Sequence, residues 1–212
     1  QKRSFSRVTV RRKAGDSSRG WLIAGMLAVP VALGRGGIKA NKREGDGGTP
    51  RGSFRLRQLW WRADKHPRPT TSLPVQRITP ADGWCEDPTD RRYNRRIKVP
   101  AKASADRLTR KDNLYDFIIE LDHNTRPRVA GRGSAVFIHA ARKGFAPTAG
   151  CVALELNALR RMLARLGPRT RIIVESFKRL FRALSENRAA HTNVRRTKCD
   201  RGGKIRAHAH RE

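Results

Sequence analysis

Only one stretch of this chain repeats its apolar residues at helical spacing, and that constrains the fold more than any other feature. Leu156, Leu159, Met162, Leu163 and Leu166 recur at steps of three and four, with Arg160, Arg161 and Arg165 among the intervening positions. That is the pattern of a helix with one face against a core. Gly167–Pro168 ends it, a permissive residue followed by one that cannot continue the ladder. The other apolar runs are short and bounded by turn formers, as strands are. Phe5–Arg12 alternates weakly through Val8 and Val10. Trp21–Leu33 is interrupted at Gly25 and Pro30 and reads as two neighbouring strands with a turn near Gly25–Met26. Ser53–Trp61 alternates through Phe54 and Leu56, Tyr115–Leu121 and Ala135–His139 are compact apolar runs, and Thr170–Glu175 closes the series. Many strands and one late helix predict a mainly β domain with the helix packed on one side.

Polar segments separate these runs. Lys42–Gly52 is a glycine-dense loop, 62–74 is a Pro-rich surface loop, and Asp82–Pro88 reads as a loop of turn formers continuing to Tyr93–Asn94. The longest apolar run, 13 residues, is too short to cross a bilayer as a helix, so no transmembrane segment is expected. Basic residues precede that run as in a signal peptide, but no small-x-small cleavage site follows it, and no clear export signal is legible. At 37% hydrophobic residues a packed core is within reach, which excludes wholesale disorder. The formal net charge is +30, carried by 36 Arg and 12 Lys. Such a field attracts polyanions without specificity, while dispersed Arg reads equally as a solvated surface. No recognisable nucleic-acid module is present. After Ser176 apolar anchors become scarce, and 177–212 reads as a basic tail, disordered or partly helical.

The three cysteines, Cys85, Cys151 and Cys199, are an odd number and lie far apart without a C-x-x-C pair. A zinc ribbon or dithiol redox site is unsupported. Cys199 with His191, His208 and His210 lacks zinc-ligand spacing, and no metal or cofactor is expected. Cys85 reads as a structural thiol. Cys151 differs, because His139 ends an apolar strand and Cys151 follows after a loop containing Gly144 and Pro147. A strand end fixes an imidazole, and the loop can fold the thiol back beside it. The ring would take the thiol proton and, as imidazolium, hold the nucleophilic thiolate in an open groove. Gly150 lets a substrate carbonyl approach and leaves the amides of Gly150 and Cys151 available to a developing oxyanion. Taken alone, a buried Cys and a core-edge His explain the spacing as well.

The surrounding pattern extends further. His139 followed by Thr148–x–Gly150–Cys151–Val152 resembles the signature of the L,D-transpeptidase catalytic domain (YkuD-like) family. Lys42–x–Glu44–Gly45–Asp46–Gly47–x–Thr49–Pro50–x–Gly52 is similar to that family's glycine-rich motif. Gly83–Trp84–Cys85–Glu86–Asp87–Pro88 and Tyr93–Asn94 resemble a compact single-domain branch. The resemblance spans 5–176 as one catalytic domain and leaves 177–212 outside. It implies a β-sandwich or otherwise β-rich fold and a cysteine acyl-transfer mechanism on peptidoglycan stem peptides, in the cell envelope. By that likeness Cys151 is the nucleophile, His139 the general base and acid, and Gly150 a backbone oxyanion contact. D-Ala leaves, and a second stem's amine resolves the thioester into a cross-link. Two positions depart: family members carry His before Gly–Cys and Arg or Asn two residues after the Cys, where this chain has Ala149 and Ala153. Arg142 is a candidate for holding the substrate carboxylate instead, or one more solvated Arg. Thr148, Trp84, Tyr93 and Asn94 are candidate substrate contacts, and Asp82, Glu86 and Asp87 could wall the same cleft. A cysteine hydrolase with water as acceptor and a non-catalytic basic nucleic-acid-binding protein are the other two readings.

Overall fold

The computed structural model describes residues 4–176; the tail read over 177–212, with Cys199 and its histidines, lies outside the described residues. The described chain forms β1 (Arg7–Lys13), β2 (Asp16–Ala24), β3 (Leu27–Ala32), β4 (Ile38–Lys39), β5 (Thr49–Pro50), β6 (Gly52–Trp61), β7 (Val75–Arg77) and β8 (Asp82–Cys85). It continues with β9 (Arg96–Lys98), β10 (Ala105–Arg107), β11 (Phe117–Leu121), β12 (Phe137–Ala140), β13 (Val152–Leu154), α1 (Leu156–Leu163) and β14 (Arg171–Glu175). The mainly β expectation holds, with one α-helix among the described residues. No helix there is long and apolar enough to cross a membrane.

The main sheet runs β11-β12-β13-β3-β2-β1-β14-β6-β7, and β11 also pairs with β6. β6 achieves this by spending its two halves differently: Gly52–Arg55 pairs with β14, and Leu56–Trp61 pairs with β11. The sheet therefore closes on itself, which removes free edges from its ring. The β2–β3 hairpin turns at Gly25, whose φ of 61° is the left-handed conformation glycine adopts without strain. The closing β1–β14 pairing is parallel and joins Arg7 to Arg171.

Alternation along the strands divides the apolar residues between two cores. Leu59 and Trp61 of β6, Phe117 and Ile119 of β11, Ile138 of β12, and Val152 and Leu154 of β13 face the main core. Helix α1 adds Ala158, Leu159, Met162 and Leu163 to it. The Glu155 carboxylate caps that helix by accepting from the amides of Asn157 and Ala158, at 2.9 and 2.8 Å. Trp60, Ile118, Phe137 and Cys151 face the other way and form a second cluster with Trp84, Leu108, Leu114 and Tyr115.

A three-stranded sheet, β10-β8-β9, covers that second face. Here the loop expected over Asp82–Pro88 needs correcting, because its first half is β8 and is fully buried. Asp82 is a turn former by type, yet it sits in the strand with its charge satisfied. Arg96 Nη2 approaches its Oδ1 to 2.6 Å, and the Thr79 amide and hydroxyl donate to Oδ2 at 2.8 and 2.9 Å.

Candidate active site

β12 and β13 run parallel, with Ile138 opposite Val152 and His139 opposite Ala153. Since Ile138 and Val152 point into the main core, His139 and Cys151 both project from the outward face. One strand spacing and two residues of rise put their Cα atoms roughly 8 Å apart, within reach of an imidazole and a thiol. The structure thus brings the two expected residues to one face, beneath the covering sheet. Tyr115 stands beside them, its ring 5.3 Å from the His139 ring in an edge-on arrangement.

The hydrogen bonds at the two groups are specific. The Cys151 thiol donates to the Ala135 carbonyl at 3.2 Å, and the Phe137 N–H donates to Cys151 Sγ at 3.4 Å. His139 Nδ1 lies 2.7 Å from the Ala140 carbonyl; a carbonyl can only accept, so Nδ1 carries the proton and Nε2 is the basic nitrogen. Cys151 and His139 are 8% and 6% exposed. Burial pushes the thiol up to about 12, against the Phe137 amide that favours its ionisation. Burial likewise pulls His139 down to about 4, with the Arg110 and Arg142 charges acting in the same direction. The expected resting thiolate–imidazolium pair in an open groove is therefore not what the fold holds. In this covered site desolvation favours a neutral thiol and a neutral imidazole over the charged forms.

Several residues expected to meet the substrate make hydrogen bonds within the site itself. The Gly150 N–H, expected to face an oxyanion, donates to Thr148 Oγ1 at 3.1 Å, and the Thr148 hydroxyl donates to the Cys151 carbonyl at 2.7 Å. Thr148 is buried and ties the nucleophile's loop. Gly150 sits at φ 148°, and a Cβ there would lie 2.8 Å from the Gly48 carbonyl, which explains why glycine occupies it. Trp84 is buried, packed edge-on against Phe137 at 5.0 Å, and its Nε1–H donates to Asn94 Oδ1 at 2.9 Å. Asn94 Oδ1 also accepts from the Ala135 N–H at 3.2 Å, while its Nδ2 donates to the carbonyls of His123 and Asn124. Ala135 has a φ of 50°, uncommon for a residue with a side chain. Asn94 thus holds the strained residue whose carbonyl accepts the hydrogen bond of the thiol. Tyr93 donates its hydroxyl to Glu44 Oε2 and accepts from the Gly133 N–H. All four side chains are buried.

Charged groups ring the pair. Arg142 is exposed and sits where its charge is felt at His139. Arg110, one of 36 arginines with nothing in its sequence neighbourhood to single it out, lies 5.1 Å over the Tyr115 ring and pairs with Asp112 at 2.9 Å. The Tyr115 hydroxyl donates to Asp106 Oδ2 at 2.5 Å. On the Gly150 side, Lys42 is buried and its Nζ donates to Asp46 Oδ1 at 2.7 Å. Burial opposes ionisation of Asp46, but Lys42 and the amides of Arg43 and Gly48 outweigh it and hold the carboxyl at about 2. Asp82 is a strut inside the covering sheet. Cys85 is a free, fully buried thiol. Of the two departing positions, Ala149 is exposed and Ala153 is buried opposite His139. No group of three His, Cys, Asp or Glu side chains suited to a metal ion forms among the described residues.

Comparison with known proteins agrees with this reading of the motifs. Residues 17–174 match the sequence model of the L,D-transpeptidase catalytic domain, YkuD. The fold is similar to the crystal structure of L,D-transpeptidase 3 from Mycobacterium tuberculosis at 13% identity and a TM-score of 0.35, covering 79% of this chain and 60% of that one. No curated protein matches the chain.

Proposed function

The chain belongs to the L,D-transpeptidase catalytic-domain family, and from that premise we propose that it is a cysteine acyltransferase acting on peptidoglycan stem peptides. One observation carries the reading: Cys151 and His139 share the outward face of two paired strands, with Nδ1 of the ring committed to a carbonyl and Nε2 left basic. Because the resting pair is neutral, sulfur attacks the donor carbonyl as its proton passes to His139 Nε2, in one general-base step. The Phe137 N–H already donates to the sulfur and stabilises the charge it gains. With the Gly150 amide engaged by Thr148, the amide of Cys151 itself is the backbone donor for the oxyanion. The C–N bond to the terminal D-Ala then breaks, and His139 returns the proton to the departing amine. Arg110 and Arg142, on the His139 side, suit the carboxylate of that leaving residue. The thioester is resolved by a second stem's amine, giving a cross-link, or by water, giving a shortened stem.

Intact-mass analysis with disaccharide tetrapeptide tests this. The expected result is an acyl adduct on Cys151 with release of D-Ala, lost in Cys151→Ser, and cross-linked dimers among the products. Shortened stems without dimers would make the enzyme a hydrolase. D-Ala release that persists in the Ser variant would remove Cys151 as nucleophile.

A further inference from the structure

The donor half of that reaction leaves the carboxyl groups opposite the thiol unused. In the covering sheet Trp84 pairs with Asp106, and the Glu86 N–H extends the ladder by donating to the Ser104 carbonyl at 2.9 Å. Strand alternation therefore sets Trp84, Glu86 and Asp106 on one face. Trp84 meets Phe137, and Asp106 accepts from Tyr115, so that face looks onto the strands carrying Cys151. After burial, the largest influences opposing ionisation of the Cys151 thiol are the charges of Asp106 and Glu86. Asp106 is already engaged, by Tyr115 and by Arg110 at 3.7 Å. Glu86 makes no side-chain hydrogen bond and no ion pair among the described residues.

Ser134 gives a second, independent mark. It is 8% exposed, and its hydroxyl has no hydrogen-bond partner. It lies between Gly133, whose N–H donates to the Tyr93 hydroxyl, and Ala135, whose carbonyl accepts a hydrogen bond from the thiol. Its Oγ is near enough to Tyr93 to ease that phenol's ionisation, yet it completes no hydrogen bond. A buried hydroxyl left unsatisfied is costly, and this one belongs to the residue next to Ala135, whose carbonyl accepts from the thiol, so that a polar group arriving beside it would satisfy it.

We propose that Glu86, backed by Asp106, binds the ammonium group of the acyl acceptor and removes its proton before the amine attacks the Cys151 thioester. This rests on the acyl-transfer reading above. One proton moves from the ammonium to the Glu86 carboxylate, and the freed nitrogen lone pair forms the new C–N bond. The C–S bond breaks with its electron pair going to sulfur. The second proton on nitrogen reaches sulfur through His139 Nε2, restoring the thiol, and Glu86 gives its proton to solvent. Burial, then the charges of Asp106 and Glu44, raise the Glu86 carboxyl to about 7, a value suited to a base working near neutral pH.

Two measurements on the full chain test the proposal, with adducts located by peptide mapping. In the first, Cys151 is modified with a trimethylammonium-bearing and a sulfonate-bearing methanethiosulfonate. Despite the net charge of +30, the cationic reagent should react at least about threefold faster, and Glu86→Gln should bring the ratio towards one. In the second, disaccharide tetrapeptide serves as donor and acceptor. Glu86→Gln should lower the ratio of cross-linked dimer to hydrolysed product by about tenfold or more, and Glu86→Asp should restore part of it. A Glu86→Gln protein with wild-type values of both ratios would overturn the assignment. A wild-type protein that keeps the Glu86-dependent charge preference but forms no thioester would remove the acyl-transfer reading, and the acceptor role with it, while leaving a cation site.

Discussion

Replacing Glu86 by Gln should stabilise the folded protein at pH 8 and leave it nearly unchanged at pH 4. The carboxyl is half-buried, and its pKa is raised from 4.5 to about 7 by burial first and then by Asp106 and Glu44. A carboxyl raised on folding binds its proton more tightly in the native chain than in the unfolded one. Stability is therefore present below the unfolded value and is lost as pH rises towards the native value. A rise from 4.5 to about 7, at about 1.36 kcal/mol for each tenfold change in proton affinity, sets a ceiling of roughly 3 kcal/mol. Water still reaches this side chain, which lowers the expected gain to about 1–2 kcal/mol. Gln keeps the size and cannot ionise, so the gain should emerge between pH 4.5 and 7 and then level off. Urea unfolding of both proteins at pH 4, 6 and 8 measures it. A difference that is the same at all three pH values, or one favouring the wild type at pH 8, would refute the argument that folding desolvates this carboxylate.

Iodoacetamide labelling of Cys151, followed by peptide mapping, should rise about tenfold per pH unit from pH 7 to 9 without a plateau, because the thiol is pushed to about 12; a plateau below pH 8 would mean a resting thiolate. Asp46→Asn strands the Lys42 ammonium, whose side chain is only 6% exposed, and should cost about 3 kcal/mol in urea unfolding at pH 7. The wild type should lose that contribution only in acid, as pH falls from the ordinary carboxylate range towards about 2. Gly150→Ala must move the Gly48 carbonyl or its own backbone, since the added Cβ would lie at 2.8 Å; thermal and urea unfolding should register about 2 kcal/mol or more, and Cys151 acylation should fall with it.

The sequence was most readable where one face of an element decides its neighbours. The hairpin about Gly25, the strands at Tyr115–Leu121 and Ala135–His139, and the helix before Gly167–Pro168 follow from local alternation, periodicity and stop signals. The helix is shorter than its apolar pattern: regular turns end at Leu163, and Leu166 reaches the core through a tighter turn closed by its N–H on the Leu163 carbonyl at 3.2 Å. The covering sheet was illegible because β8, β9 and β10 are four residues or fewer, and β8 opens with Asp82 and Gly83. What makes it a strand is burial between partners distant in sequence, which no local pattern records. The same limit applies to the site. Cys151 and His139 could be read from spacing and motif, whereas the neutral state of the pair depends on how completely Trp84, Tyr115 and Phe137 exclude water from it. Arg110 had no distinguishing neighbour in sequence; Tyr115 was read only as part of a strand, and its place beside His139 comes from folding.

β6 lines two compartments with alternate letters. Leu59 and Trp61 fill the closed ring while Trp60, between them, backs the cleft and donates to Glu120 at 3.3 Å. Sequence change can therefore reshape the cleft wall at Trp60, Ile118 or Phe137 while the ring's interior keeps its composition. A single-residue insertion in β6 has no such freedom, because it would exchange the linings of both compartments at once.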